Sequence, residues 1–295
     1  MTPKERNMSK IKFITDSASD ISVQDEQALG IQVLSFPVSF GDNTLLSRVD
    51  FDEEKFYEML EAADALPTTS QITVFQYGEV FEAAYGEGYT DVINTTINSE
   101  ASGTYNSACL AAQMFYESHP EAEKSFRIHN VDGAGYTSMY GQAVVEGAMM
   151  ARDGRSADEI VAFMQDRIGR SAVYFVPYTL KYASKSGRIP SAAAFVGELV
   201  GLKPVMRISD HKIVTNDKIR GEKKIIPTIV KKTVADMEPG SPYVVLCGNN
   251  LTERDALEKA MTEAVGYAPA ARYRIGAAIT INAGPHTLGV EFRAK

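Results

Sequence analysis

Three short stretches of this 295-residue chain are rich in hydroxyl side chains: DSASD at 16–20, TTSQ at 68–71 and NSEASGT at 98–104. The first and third follow short apolar runs that read as parallel strands, and the second and third open helical patterns. In an open α/β sheet, ligands gather at the carboxyl ends of the strands. A helix N-terminus there presents unpaired backbone N–H groups and the positive end of its dipole. Thr69, Ser70, Ser99, Ser102 and Thr104, with Gly103 among them, form a candidate set able to hold a carboxylate or a phosphate. Ser and Thr are also the usual N-cap residues, so capping alone accounts for any one of these loops. Three such loops in one half-chain weaken that reading without removing it.

Missing motifs narrow the chemistry. The sequence has no GxxxxGK[ST] phosphate cradle and no GxSxG nucleophile elbow. Gly133 and Gly135 begin a dinucleotide fingerprint, but Ser138 stands where its third glycine belongs. A site built from hydroxyls without a lysine suits a carboxylate better than a polyphosphate. An enzyme acting on a small carboxylated or phosphorylated substrate at the same loops is the rival reading, with Asp16 or Asp132 at a strand end as its base. Elsewhere, YASKSGRIP at 182–190 reads as a surface loop exposing Arg188, and His286 reads as a turn residue. The basic run of Lys218, Arg220, Lys223 and Lys224 reads as a solvated face with a slight bias toward a partner surface.

Alternating strand and helix patterns must position these loops. Strands are expected at 11–15, 91–97 and 126–131, with helices at 52–63, from 74, from 105 and at 136–152. An extended run covers 31–40. This alternation argues for a parallel sheet covered by helices on both faces. The second half reads as a strand at 172–176, two strands around a tight turn at Asp210-His211, a helix over 222–237 and a strand at 243–247. Thr252 and Asp255 resemble a capping box, and 272–282 reads as the final strand. The expected division is an N-terminal α/β domain over 1–165 carrying the anion-binding loops, and a second α/β domain over 166–295 with a mixed sheet.

Composition sets outer bounds. With 44% hydrophobic and 23% charged residues the chain is an ordinary globular one. Thirty basic against 38 acidic residues leave a net charge of −8, which lacks the basic footprint of a nucleic-acid binder. Cys109 and Cys247 lie far apart, and the four histidines show no helical metal spacing, so neither a disulfide nor a metal or other cofactor is expected. The polar start MTPKERNMSK is unlike a signal peptide, and no apolar run is long enough to span a bilayer. A cytoplasmic setting is expected.

The motifs together resemble the DegV family of bacterial fatty-acid-binding proteins. The resemblance lies in TDSASDI (15–21), TTSQI (68–72), SEASGTYNSA (99–108), LKYASKSGRI (180–189), LKPVMRISDHKI (202–213), KIRGEKK (218–224) and AGPHTLG (283–289), in consistent order from about residue 11 to the end. It implies a two-domain DegV-like fold and a fatty acid whose acyl chain lies in a hydrophobic tunnel between the domains. It implies further that Thr69 and Ser102 occupy the ligand-binding positions of the TSQ and SGT motifs. A carrier of this kind is no enzyme itself; it presents the acid to a separate fatty acid kinase that makes an acyl phosphate. Arg220 matches an arginine linked to that partner step. The family commonly carries a His just before the terminal Gly-Pro, where this chain has Asn282, a further candidate at the carboxylate. Asn cannot carry a proton as His does, so this departure bears on the kinase step. Transient contact with a membrane surface is compatible with such a role.

Overall fold

A computed structural model describes residues 9–189 and 201–295; the first eight residues lie outside it. The chain begins with β1 (Ile11–Asp16), α1 (Val23–Leu29), β2 (Gln32–Leu34), β3 (Pro37–Phe40), β4 (Asn43–Leu46) and α2 (Glu53–Ala62). It continues through β5 (Thr68–Thr69), α3 (Val74–Gly86), β6 (Asp91–Thr96), α4 (Thr104–Ser118), β7 (Arg127–Asp132), α5 (Ser138–Arg152) and α6 (Ala157–Gly169). The remainder holds β8 (Ser171–Pro177), α7 (Ala183–Ser186), β9 (Leu202–Ser209), β10 (Lys212–Arg220) and α8 (Ile225–Asp236). It closes with β11 (Tyr243–Cys247), α9 (Leu251–Val265), β12 (Ala271–Arg274), α10 (Ala277–Ala283) and β13 (Thr287–Arg293).

The first sheet is parallel, in the order β2-β1-β6-β7. Connections leave β1 toward β2 on one side, while β6 pairs on the other, so the strand order reverses between β1 and β6. Such a switch point leaves a crevice at the strand ends, and the loops after β1, β6 and β7 all open there. A six-stranded sheet, β10-β9-β8-β13-β11-β12, is mixed: its pairs are antiparallel except β11 with β12. A small antiparallel sheet, β4-β3-β5, carries the TTSQ loop on its edge.

Helix and strand faces explain how the layers meet. Tyr77, Phe81 and Ala84 on α3 and Ala108, Ala111 and Phe115 on α4 are buried against the first sheet, as their 3.6-residue spacing requires. On β8, Val173 and Phe175 join the core shared with the first sheet, whereas Ala172, Tyr174 and Val176 join the core beneath α8 and α9. Period-two alternation thus gives the second sheet one face toward the parallel sheet and one toward its own helices. The expected boundary at 165/166 falls inside α6, shortly before the second sheet begins at Ser171.

Several local expectations are corrected. The stretch 272–282 is not one strand: β12 stops at Arg274, and α10 runs from Ala277 until Gly284, at φ 89°, ends it. Burial of Ala277, Ala278 and Ile281 overrides the strand preference of the Ile-Thr-Ile run. The final strand is instead β13, in the middle of the second sheet. The extended run 31–40 divides into β2 and β3, which enter different sheets. Helix α9 is capped by Asn250, whose side chain accepts the Glu253 N–H, so Thr252 lies inside the first turn. The β9–β10 hairpin turns at Asp210-His211 as expected, with longer strands.

Candidate functional site

A cavity of about 420 Å³ lies between the strand ends of the parallel sheet and the inner face of the mixed sheet. The parallel-sheet side contributes Thr69, Ser70 and Gln71, Ala101, Ser102 and Gly103, and Tyr136 with Thr137. The other side is largely apolar: Val173 and Phe175 on β8, Ile208 on β9, Ile213 on β10, Leu246 on β11, and Ala278, Ile279 and Ala283 on α10. Asn282 on α10 and Arg188 after α7 add polar groups. Most binding sites combine apolar walls with a few placed polar groups in this way, at volumes of roughly 300–1,000 Å³.

The polar end is built by two loops that brace one another. Asn98 begins the loop after β6, and its carbonyl accepts the N–H groups of Ala101 and Ser102 at 3.1 and 3.2 Å. Helix α4 then starts with Gly103 at its N-cap and no side-chain cap. Of this helix start only the N-cap Gly103 lines the cavity, while the Thr104 N–H behind it is taken by Ser102 Oγ. Gln71 crosses from the TTSQ loop and donates to Ser107 Oγ at 2.9 Å. A Cβ on Gly103 would meet Gln71 Oε1 at 2.1 Å, so glycine is what lets this bridge pass.

Five of the seven candidates, Thr69, Ser70, Ser102, Gly103 and Asn282, line the cavity; Ser99 and Thr104 do not. Ser99 gives its N–H to Asp132 at 3.1 Å. Thr104 is fully buried, and its hydroxyl shares a 2.9 Å hydrogen bond with Ser102 Oγ, so it orients Ser102 from behind. Ser102 Oγ also accepts the Thr104 N–H at 3.3 Å, a local turn contact. The cap of α3 is Thr73, in a capping box with Gln76, which leaves Thr69 and Ser70 out of capping. Asn282 spends one N–H on Ala278 O at 2.7 Å and retains a second N–H and its Oδ1. Arg220 is exposed at the end of β10 and does not line the cavity.

Other sequence readings resolve differently. The DSASD loop is structural and is not among the cavity-lining segments: Ser17 Oγ accepts the Phe36 N–H at 3.0 Å and pairs with Ser47 Oγ at 2.8 Å. Asp16 is fully buried, with hydrogen bonds from Tyr140 Oη at 2.5 Å, Ile97 N at 2.7 Å and Ala18 N at 3.0 Å. Burial drives its carboxyl up to about 6 against the lowering effect of these donors. Asp132 accepts from Ser99 and Ala134. Neither candidate base lines the cavity. His286 stacks on Tyr178, centroids 3.6 Å apart, and pairs with Glu253 at 2.6 Å. Sequence reasoning missed Arg188, Tyr136, Thr137 and Cys247 as lining residues. The GAG turn before α5 was the available signal for Tyr136 and Thr137.

Helix α10 is fastened by Asp20, whose Oδ1 accepts the Gly276 N–H at 2.9 Å. Burial pushes the Asp20 carboxyl up to about 8, outweighing the hydrogen bond from Gly276. Between its ordinary value of 3.8 and about 8 the folded chain therefore binds more protons than the unfolded chain. Stability contributed by this group falls as pH rises through that window. Asp20→Asn keeps an acceptor for Gly276 and a residue that tolerates φ 52°. The variant is expected to match wild type near pH 4 and to exceed it by several degrees in Tm near pH 8. A Tm difference constant across this range would contradict the assignment.

Fold and cavity define an α/β protein with an amphipathic cavity between a parallel and a mixed sheet. The model of the DegV family, described as "uncharacterised protein, DegV family", matches residues 10–295, and the chain belongs to that family. A DegV domain-containing protein of Clostridium perfringens is 30% identical over 96% of this chain and 98% of its own length. The structure of a fatty-acid-binding DegV family protein from Thermus thermophilus superposes with a TM-score of 0.84 at 26% identity, covering 97% of this chain and all of that one. A stearic acid-binding protein from Eubacterium ventriosum has the same fold, with a TM-score of 0.86 at 23% identity over 98% of this chain and 99% of its own. Among the described residues no helix is long and apolar enough to cross a membrane.

Proposed function

We propose that the protein binds a long-chain fatty acid in the cavity between its two main sheets. The observation that carries this reading is the cavity itself: hydroxyls and the N-cap Gly103 of α4 at one end, and Val, Ile, Leu and Phe side chains along the rest. Thr69, Ser70, Ser102, the Gly103 N–H and Asn282 receive the carboxylate. The acyl chain runs along β8, β9, β11 and α10. Removing methylenes from water favours binding by roughly 0.8 kcal/mol each, so the chain supplies most of the affinity and the polar end fixes direction. The fatty-acid-binding neighbours of the same fold support the ligand class. Delipidated protein is expected to take up labelled fatty acid to saturation in equilibrium dialysis; failure to take up any acid would contradict the reading.

The role is that of a carrier in the cytoplasm without chemistry of its own, presenting the acid to a fatty acid kinase at a surface that includes Arg220. The positions of Asp16 and Asp132 away from the cavity favour a carrier over an enzyme acting on a small substrate. Asn282 is the weak point of the kinase step, since it lacks the titratable ring. Asn282→His is expected to raise acyl phosphate formation at least about tenfold with a kinase that accepts this carrier, which is about 1.4 kcal/mol of barrier. An unchanged rate would show that position 282 does not limit transfer.

A further inference from the structure

We propose that His211 is a positioning residue for the carboxylate end of the cavity, acting through Asn98; the inference rests on the fatty-acid reading above. His211 and Asp210 form the tip of the β9–β10 hairpin at φ 65° and 47°. Two-residue hairpin turns of this hand favour glycine at the second position, because a side chain there is strained. A histidine held in that conformation is over-determined by its surroundings.

Its surroundings are the ligand loop. The Asn98 amide faces His211 at two points: Nδ2 donates to the His211 carbonyl at 2.8 Å, and Oδ1 lies 2.8 Å from His211 Nδ1. With Nδ2 used as donor, Oδ1 is the acceptor and Nδ1 carries the proton. The His211 N–H also donates to Ala134 O at 3.1 Å, and Asp132 Oδ2 stands 3.9 Å from Nδ1. Asn98 is fully buried, and all its polar groups are engaged. Oδ1 takes the Glu100 N–H at 3.0 Å, its N–H goes to Gly135 O at 3.1 Å, and its carbonyl holds Ala101 and Ser102. One ring on the mixed sheet thus sets the residue that organises the loop leading to Ser102 and Gly103. The contact also ties together two segments that line opposite sides of the cavity, the one carrying Ile213 and the one carrying Ala101 to Gly103.

His211→Gly separates this role from a structural one. Glycine adopts φ 65° without strain, so the turn and the global stability are expected to hold or improve. The ring contact is lost while the carbonyl contact remains. Affinity for a long-chain acid is expected to fall about tenfold, affinity for the alcohol of equal chain length to stay within about twofold, and the Ala101 and Ser102 amides to exchange with solvent faster. His211→Asn, which tolerates the left-handed region but is too short to reach Asn98, is expected to behave like His211→Gly. Full acid affinity in both variants, or equal losses for acid and alcohol, would overturn the role of His211. Wild-type protein that takes up neither ligand would instead remove the fatty-acid reading on which it rests.

Discussion

Replacing Thr69 and Ser102 together by Ala is expected to weaken binding of a long-chain fatty acid by at least about a hundredfold, with the matching alcohol or alkane changed by about threefold or less. Hydrogen bonds to a charged partner contribute roughly 1.5–3 kcal/mol each, and tenfold in affinity corresponds to about 1.4 kcal/mol. Two lost donors at a partly desolvated carboxylate therefore amount to two orders of magnitude or more. Both residues line the cavity; neither caps α3, and at the start of α4 Ser102 Oγ makes only the 3.3 Å contact from the Thr104 N–H beside the N-cap Gly103. Ser102 is held in place by the buried Thr104 hydroxyl, so its orientation is prepared before any ligand arrives. The alcohol shares the chain and its burial but presents no negative charge. Isothermal titration of the three ligands into wild type and double variant reads the difference. Equal losses for all three would mean that the pair maintains the loops and does not meet the carboxylate.

The largest stability effect is expected from Glu291→Ala. Glu291 is fully buried on β13, between β8 and β11. Its carboxylate accepts from Arg167 Nη1 at 2.8 Å, Arg167 Nη2 at 3.2 Å and Ser171 Oγ at 2.7 Å. Arg167 is itself buried on α6, with Glu146 of α5 3.4 Å from its Nε. This network ties the α5–α6 layer of the parallel sheet to the centre of the mixed sheet. Removing one member of a buried pair leaves an uncompensated charge and costs about 3–5 kcal/mol. Substituting both Arg167→Met and Glu291→Leu removes both charges and is expected to recover most of that loss. Urea unfolding read by circular dichroism measures both variants. A Glu291→Ala loss below about 1 kcal/mol, or a double variant as unstable as the single one, would contradict this account of how the layers are joined.

The sequence made the first sheet and its loops legible because both are local signals. Strands β1 and β6 end directly in polar loops, and the stripes on α3 and α4 repeat at 3–4 residues. The second sheet carried less information. All seven residues of β8 are buried, so no polar alternation marks the face that lines the cavity. Val173, Phe175, Leu246 and Ile208 acquire that role only through strand pairing across the mixed sheet. The stretch after β12 misled for a related reason. Its Ile and Thr residues favour a strand, and what makes it a helix is packing against distant segments, including the Asp20–Gly276 hydrogen bond across 256 positions of sequence. Arg188 was legible as an exposed turn residue, but not as a neighbour of Ser102 and Asn282 at one cavity. Arg167 and Glu291, 124 positions apart, gave no sequence sign of being partners.

On the reading proposed above, the space between the parallel and the mixed sheet holds one long acyl chain with its acid group at the hydroxyl end. Native mass spectrometry of the purified protein, followed by release and identification of what it carries, tests this most directly. A mass increment matching a long-chain fatty acid is expected on most molecules, lost on delipidation and restored by added acid. Protein that carries only a small polar ligand, or that is empty and cannot be reloaded with any fatty acid, would contradict it.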